Sequence, residues 1–423
     1  MTRKFLLTIL FLTATSVWMR AAEPARSRVS SGRMGVNDAI ANALGSNPEL
    51  QVFEASVAAS KGGVTTAKTF ANPELSIAPG VKRVREGGTS TSEFHGNIEV
   101  SQLFKFPGKR ALEIAIAERN VELQQLALEG FRFQLSAKVR KAFYEMLAAQ
   151  KIIALRKEQV ESAKSFVESA RKRAESGYAS DFETLKSQAD LIAASKAERQ
   201  ARGEEVAARV TLNTLMGRNA AAALEIDGML ENVAPPGSQG DFLALALARN
   251  PSLRTQAKQA EVAGLTLRST RFGTRPDFAV GPALEYTDKE QIIGFNATVA
   301  LPFWDQKKGE IATANAEQRK ALAEIEKTRR EIAGEVARAA SALEVAKDSA
   351  ALYTPEFLRR LKSFVAQAEQ GYAQSSTTLI IFLDAKRTYF DTVSDYYEAL
   401  SKTAESRAEL ESAIGVPLEP HKP

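Results

Sequence analysis

The side chains that could do chemistry are few and scattered. Among 423 residues there are two histidines, His95 and His421, and no cysteine. Acid–base catalysis needs a titrating group within hydrogen-bond reach of the reacting proton and a second group to orient it. Neither histidine has a plausible partner: His95 falls on the polar side of an alternating segment and His421 in the C-terminal tail. The lack of cysteine removes disulfides, thiol nucleophiles, thiolate metal sites and acylation of an N-terminal cysteine. With 2 histidines and 6 methionines the chain is no metal sequestrant. No Gly-rich phosphate loop follows a strand and opens a helix. The chemistry therefore points to no enzyme, no cofactor and no resident metal. Lys and Arg number 56 against 51 acidic residues. That excess is spread along the chain, as on solvated helix faces rather than a nucleic-acid surface.

What positions these residues is dominated by one run. From 108 to 234 there is no proline, and apolar residues recur at steps of three and four. One seam reads Leu135, Val139, Ala142, Met146, Ala149, Ile153, Arg156, Val160, Ala163, Val167, Ala170 and Ala174, a heptad repeat with a single charged interruption at Arg156. The many alanines let neighbouring helices approach closely. Leu147, Ile152, Leu155 and Phe166 lie off the seam, so the helix should be covered on more than one side. Gly177 interrupts the pattern, and a second helical stretch runs from near Asp181 to Met216. At a rise of ~1.5 Å per residue the first stretch would be roughly 100 Å long, far more than a globular domain needs.

Residues 1–22 read as a secretory signal: Arg3 and Lys4 precede a short apolar run, with small residues near Ala21 and Ala22. A linker at 23–35 follows. No later stretch approaches the ~20 apolar residues of a spanning helix, so entry into a membrane requires β-strands. Two repeats fill the rest. The first, 36–232, holds a helical segment, a β-hairpin at 73–106 and a long helical hairpin at 108–217. After a linker at 233–240 the second, 241–415, holds a helix, a β-hairpin at 276–303 and a helical hairpin at 305–415, with a tail at 416–423. Asn250-Pro251-Ser252-Leu253 echoes Asn47-Pro48-Glu49-Leu50, and Leu301-Pro302-Phe303-Trp304 echoes Leu103-Phe104-Lys105-Phe106. Between the two echoes the spacing shrinks by about five residues, which predicts a longer hairpin loop in the first copy, over the Gly, Thr and Ser of 87–92. Phe94, Ile98, Val100, Phe104 and Phe106 alternate with His95, Asn97, Glu99, Ser101 and Lys105, one apolar and one polar face. In the second copy Phe278, Val280 and Leu284 mark one strand, 286–291 a turn, and Ile293, Phe295, Ala297, Val299, Leu301 and Phe303 the outward row of the next. Pro355 should kink or split the last long helix.

Two strands per repeat cannot close a barrel, because the smallest membrane barrels need about eight, and an open edge in lipid is forbidden. Copies of the chain must therefore assemble in a ring, as a dimer or a trimer. Phe104, Phe106, Phe303 and Trp304 sit at equivalent strand ends, where aromatic rings suit the membrane interface.

The duplicated architecture and the strand-to-helix passage Phe106-Pro107-Gly108-Lys109-Arg110 carry a resemblance. So do the inter-helix turns Gly177-Tyr178-Ala179-Ser180-Asp181-Phe182-Glu183-Thr184-Leu185 and Gly371-Tyr372-Ala373-Gln374-Ser375-Ser376-Thr377-Thr378-Leu379. Over nearly the whole mature chain the sequence resembles the TolC-type outer-membrane efflux proteins, in particular their heavy-metal branch, which is served by RND-type pumps. The resemblance implies an α+β, mostly helical fold: a homotrimer with a twelve-stranded β-barrel in the outer membrane, continued by a twelve-helix periplasmic tunnel. It implies a passive exit duct that receives metal cations or small toxic compounds from an inner-membrane pump through a periplasmic adaptor. The two turns would form the tip and the adaptor contact, through Gly177, Tyr178, Ala179, Ser180, Ser375, Ser376, Thr377 and Thr378. Glu183 falls where the family places an acidic latch residue, Tyr372 where a tyrosine bonds it, and Asp384 where a carboxylate rings the constriction. Ile381 stands in place of the second ring carboxylate and Thr377 in place of a gate arginine, so this gate is expected to be less charged. A duct for type I protein secretion shares the architecture. A periplasmic adaptor would show one unduplicated hairpin, and a cytosolic coiled-coil scaffold would lack the signal and the amphipathic strands.

Overall fold

The computed structural model describes residues 33–86, 89–177, 180–230, 237–288 and 290–418; the expected leader and His421 lie outside them. The chain opens with α1 (Val36–Ser46) and α2 (Pro48–Lys68), separated by Asn47 alone. Strands β1 (Glu74–Glu86) and β2 (Thr89–Phe104) lead into α3 (Lys109–Glu175) and α4 (Asp181–Leu215). The order then recurs with α5 (Gln239–Arg249), α6 (Pro251–Phe272), β3 (Phe278–Thr287) and β4 (Gln291–Val299). The second helical hairpin is α7 (Lys308–Ala351), α8 (Pro355–Ala373) and α9 (Leu379–Ile414).

The Asn-Pro echo has a definite job. The Asn47 carboxamide oxygen accepts from the Glu49 N–H and that of Asn250 from the Ser252 N–H, each at 2.8 Å. Each asparagine thus caps a helix whose first residue is a proline with φ already set. The same two side chains reach across the fold: Asn47 donates to the Leu215 carbonyl and Asn250 to the Ala413 carbonyl, each at 2.9 Å. Just beyond those carbonyls Gly217 and Gly415 turn the chain with φ of +67° and +85°. A side chain on Gly217 would strike the backbone of Ser46, and one on Gly415 the Asn250–Pro251 junction. The two largest cores lie beside these clamps. One gathers Ala39, Val139, Phe143 and Met146 with Leu212, and the other Ala246, Val336, Leu410 and Ile414.

Helix α3 contains 67 residues, about 100 Å at ~1.5 Å each. Both α4 and α9 pack along it, which explains why Leu147, Ile152, Leu155 and Phe166 are buried as well as the seam. Arg156, the charged interruption, is answered by Asp391 on α9 at 3.2 Å and by Gln159 at 2.9 Å. Pro355 splits the last long helix: α7 stops at Ala351 and α8 restarts at Pro355, capped by the Thr354 hydroxyl, which accepts from the Phe357 N–H at 3.2 Å.

The strands form one antiparallel sheet in the order β1-β2-β3-β4. Several expectations need correction here. Residues 89–92 are strand, since β2 resumes at Thr89 opposite Glu86. The first repeat's extra residues therefore lengthen the strands, 13 and 16 residues against 10 and 9, because continuing the ladder satisfies backbone groups that a loop would leave to solvent. The expected turn at 286–291 is narrower, with Tyr286 paired to Gln291. Phe106, Phe303 and Trp304 lie past the strands, which end at Phe104 and Val299. Pro302 has no N–H to extend the ladder. Only Phe104 is a strand end, its ring 5.7 Å from that of Phe278, whereas Phe106 is half-buried beneath Arg275 and Trp304 is 95% exposed. The pairing registers put Leu75, Ile77, Ile98, Val100, Leu284, Ile293 and Phe295 on one face. Ser76, Asn97, Glu99, Glu285 and Asn296 fall on the other. Among the described residues no helix is long and apolar enough to cross a membrane.

Candidate functional site

The helical hairpins α3–α4 and α8–α9 meet at their turns, at the far end of α3 from the sheet. Their apolar contact is built from Phe166 of α3, Ala368 and Tyr372 of α8, and Leu379, Phe382 and Ala385 of α9. Tyr372 stacks on Phe382 with ring centroids 5.5 Å apart and planes at 9°, while Phe166 meets both rings edge-on.

Polar groups hold Tyr372 at three points. Its hydroxyl donates to Glu183 Oε2 at 2.7 Å, bridging α8 to α4. Arg173 of α3 donates to the Tyr372 carbonyl at 2.8 Å, and its guanidinium lies 4.6 Å over the same ring. Burial, with the hydrogen bond to Glu183 next, pushes the phenol up to about 12. The proton therefore stays on the tyrosine and the bond is charge-assisted, about twice as strong as a neutral one. Arg173 also reaches the Ser375 hydroxyl at 3.5 Å.

Glu183 sits in the first turn of α4, where a carboxylate favours the helix dipole. The second turn is tighter. The Ser376 and Thr377 N–H groups both donate to the Gly371 carbonyl, at 2.8 and 3.1 Å. A side chain on Gly371 would collide with the Thr377 hydroxyl. Ser375 carries the left-handed turn at φ +59°, the role that Gly177 plays in the first turn at +76°. Ser180 and Thr378 precede α4 and α9 as cap residues; only Thr378 accepts a helix N–H, from Ile381 at 3.5 Å. Ile381 and Asp384 are exposed one turn further along α9, and the Asp384 carboxylate has no partner among the described residues. Tyr178 and Ala179 lie outside the described residues.

Two residues at this site went unassigned by sequence reasoning. Arg173 supplies a guanidinium to the tip, where the sequence reading expected none because of Thr377. Lys386 of α9 is 4% exposed, and its ammonium has no hydrogen-bond partner among the described residues. It lies 4.0 Å from Asp190 and over the rings of Phe166 and Phe382. Burial outweighs Asp190 and Glu369, so its pKa is pulled below the ordinary lysine value. The available signal was a charged residue at a seam position of α9, between Phe382 and Tyr389.

Among the described residues no cluster of His, Asp and Glu could hold a metal ion. The site can hold helix ends together and, by releasing them, let them part. An open amphipathic sheet on long helical hairpins whose far turns are pinned together defines the protomer of an outer-membrane channel with a helical tunnel. The chain belongs to the outer membrane efflux protein family, whose sequence profile matches residues 39–218 and 242–416. It is 24% identical over 407 residues to the cobalt-zinc-cadmium resistance protein CzcC of Cupriavidus metallidurans, covering 96% of each chain. Its fold is that of the CusC channel, with a TM-score of 0.74, 16% identity and coverage of 90% of this chain and 92% of that one. It also matches the outer-membrane channel OprN, with a TM-score of 0.75, 15% identity and coverage of 91% of each chain. The protein is an efflux channel of the outer membrane. Channels of this family form trimers, work with adaptor and pump partners, and are not enzymes.

Proposed function

We propose that three copies of this chain join edge to edge, β4 of one to β1 of the next, into a barrel of twelve strands, and that their helices continue it as a tunnel through the periplasm. Exported by the leader at 1–22 without acylation, the assembly is the passive exit of a tripartite system. It receives cargo from an RND-type inner-membrane pump through a periplasmic adaptor docked on the tip turns. The sheet carries this reading. Its exposed face is apolar at nearly every row, with Phe295 87% exposed, and among the described residues the outer sides of its edge strands β1 and β4 are left unpaired within the protomer. Neither feature suits a water-soluble monomer, and lipid outside with a sister strand alongside satisfies both.

The tip is the gate in this reading. The Tyr372–Glu183 bond latches one helical hairpin to the other, and Asp384 from each copy rings the constriction and draws cations. The name of the matched relative leads us to assign metal cations as cargo ahead of other small toxic compounds. Glu183→Ala combined with Tyr372→Phe is expected to raise the conductance of the purified protein in planar bilayers severalfold; unchanged conductance removes the latch. Cells lacking the chain should lose tolerance to zinc, cobalt or cadmium, and intact tolerance would sink the metal assignment.

A further inference from the structure

The lipid-facing rows of the sheet do not stop where the apolar band stops. From Phe104 to Phe94 along β2 is ten residues, which at ~3.3 Å each and a tilt of ~40° spans ~25 Å, the height of an apolar barrel band. At its upper margin the rings of Phe94 and Tyr286 lie 6.3 Å apart, a second aromatic level opposite the Phe104–Phe278 pair. The last β2–β3 pair is His95↔Thr287, so beyond it β1 and β2 continue alone. The next two positions on the lipid-facing side are Arg83 opposite Ser92 and Arg85 opposite Ser90. All four are exposed, and neither guanidinium has an ion-pair partner among the described residues. Strand alternation puts Glu93 on the opposite face.

The placement turns a charged pair into a site. A guanidinium within about one Debye length of the acyl region meets headgroup phosphates at reduced dielectric, and its planar fork matches a phosphate bidentately. A serine beside each arginine adds a hydroxyl, and a saccharide headgroup, with many ring and hydroxyl oxygens around its phosphates, can engage both serines while the arginines hold phosphate. We propose that Arg83, Arg85, Ser90 and Ser92 form a headgroup site for a phosphorylated saccharolipid of the outer leaflet, of the lipid A class. This rests on the outer-membrane barrel reading, which makes the end of the sheet away from the helices the external one. The bound lipid would fix the height of the barrel in the membrane and seal the rim against its neighbours.

The test uses the full chain in phosphatidylcholine vesicles doped with phosphorylated lipid A, dephosphorylated lipid A or phosphatidylglycerol at matched phosphate. Retained lipid is counted by native mass spectrometry. Wild type should retain phosphorylated lipid A at least about tenfold more tightly than either alternative, and Arg83→Gln with Arg85→Gln should lose about tenfold. Arg83→Lys with Arg85→Lys should keep part of the binding, which separates lost charge from misfolding. Equal retention by the glutamine variant, or phosphatidylglycerol held as tightly as lipid A, overturns the site. A wild-type chain that does not insert into any vesicle fails the barrel reading itself, whereas insertion with undiscriminating lipid retention fails only this inference.

Discussion

The two ends of the helical hairpins treat the duplication in opposite ways. Partway along α3, where α2 and α6 begin and α4 and α9 end, the repeats are copies down to single atoms. Asn47 and Asn250 each cap one helix and clamp another at the same 2.8 and 2.9 Å, beside glycines with similar positive φ. At the tip, turns that begin with the same Gly-Tyr-Ala have diverged. Gly177 takes the left-handed conformation in one, while Gly371 stays helical in the other and leaves that task to Ser375. Tyr372 is buried and finds Glu183, which belongs to the other repeat. Where the helices are anchored, one backbone geometry admits one solution, so both copies keep it. Where they must grip each other, a donor needs an acceptor, so the copies become complementary.

The anchored end should be the costliest to disturb. Gly217→Ala or Gly415→Ala forces a side chain into a left-handed backbone and into its neighbours at once, and each should lose about 3 kcal/mol or more of stability. Gly177→Ala, with φ also positive but nothing within 4 Å, should lose only ~1 kcal/mol. Urea midpoints of the three variants measure this. If Gly217→Ala is no worse than Gly177→Ala, the contrast between clamped and open ends fails.

At the tip the expected effect is smaller and depends on pH. Lys386 is depressed by burial, so the unfolded tip binds more protons between that depressed value and lysine's ordinary ~10.4. Local stability therefore rises with pH across that window. Tyr372 works in the other direction. Its phenol is raised to about 12, so its contribution is complete below tyrosine's ordinary ~10 and is lost as pH climbs through about 12. Hydrogen exchange across α8 and α9 should show tip protection that peaks near pH ~10. Lys386→Met should remove the rising limb and stabilise the tip by ~1 kcal/mol, since a buried cation without a hydrogen bond gives way to a well-packed thioether. Tyr372→Phe should remove the falling limb. A pH-independent tip in the wild type would mean that neither group titrates with opening.

Much of the anchored end was legible in the sequence because its causes are local. Asn-Pro is a short-range helix-start signal, and its recurrence in the second repeat marked the same anchor twice. Alternation over β2 likewise declared its faces. The hairpin lengths were misread because Gly87, Gly88 and the Thr and Ser after them have turn composition, and only the partner strand decides whether such residues extend a ladder. Arg173 and Lys386 escaped assignment for a different reason. Each is a charge on a helix, like dozens of solvated ones. What sets them apart is contact with a helix far away in sequence, at Tyr372 for Arg173 and Phe166 for Lys386. Arg156 and Lys386 share the one usable clue, a charged residue at a seam position.

The finest distinction between the two tip turns is the residue in the left-handed position. Serine there pays strain of about 1 kcal/mol that glycine would not. Glycine, however, returns part of that gain, because it frees the unfolded chain by ~0.5–1 kcal/mol. Ser375→Gly also removes the 3.5 Å contact with Arg173, which is long and exposed and therefore weak. The terms nearly cancel, so Ser375→Gly should change thermal stability by no more than ~0.5 kcal/mol, whereas Gly177→Ser should cost ~1 kcal/mol. If Ser375→Gly instead destabilises the protein by several times that figure, the serine hydroxyl and Arg173 form a second latch beside Tyr372 and Glu183. The divergence of the two turns would then be a matter of grip at two points rather than one.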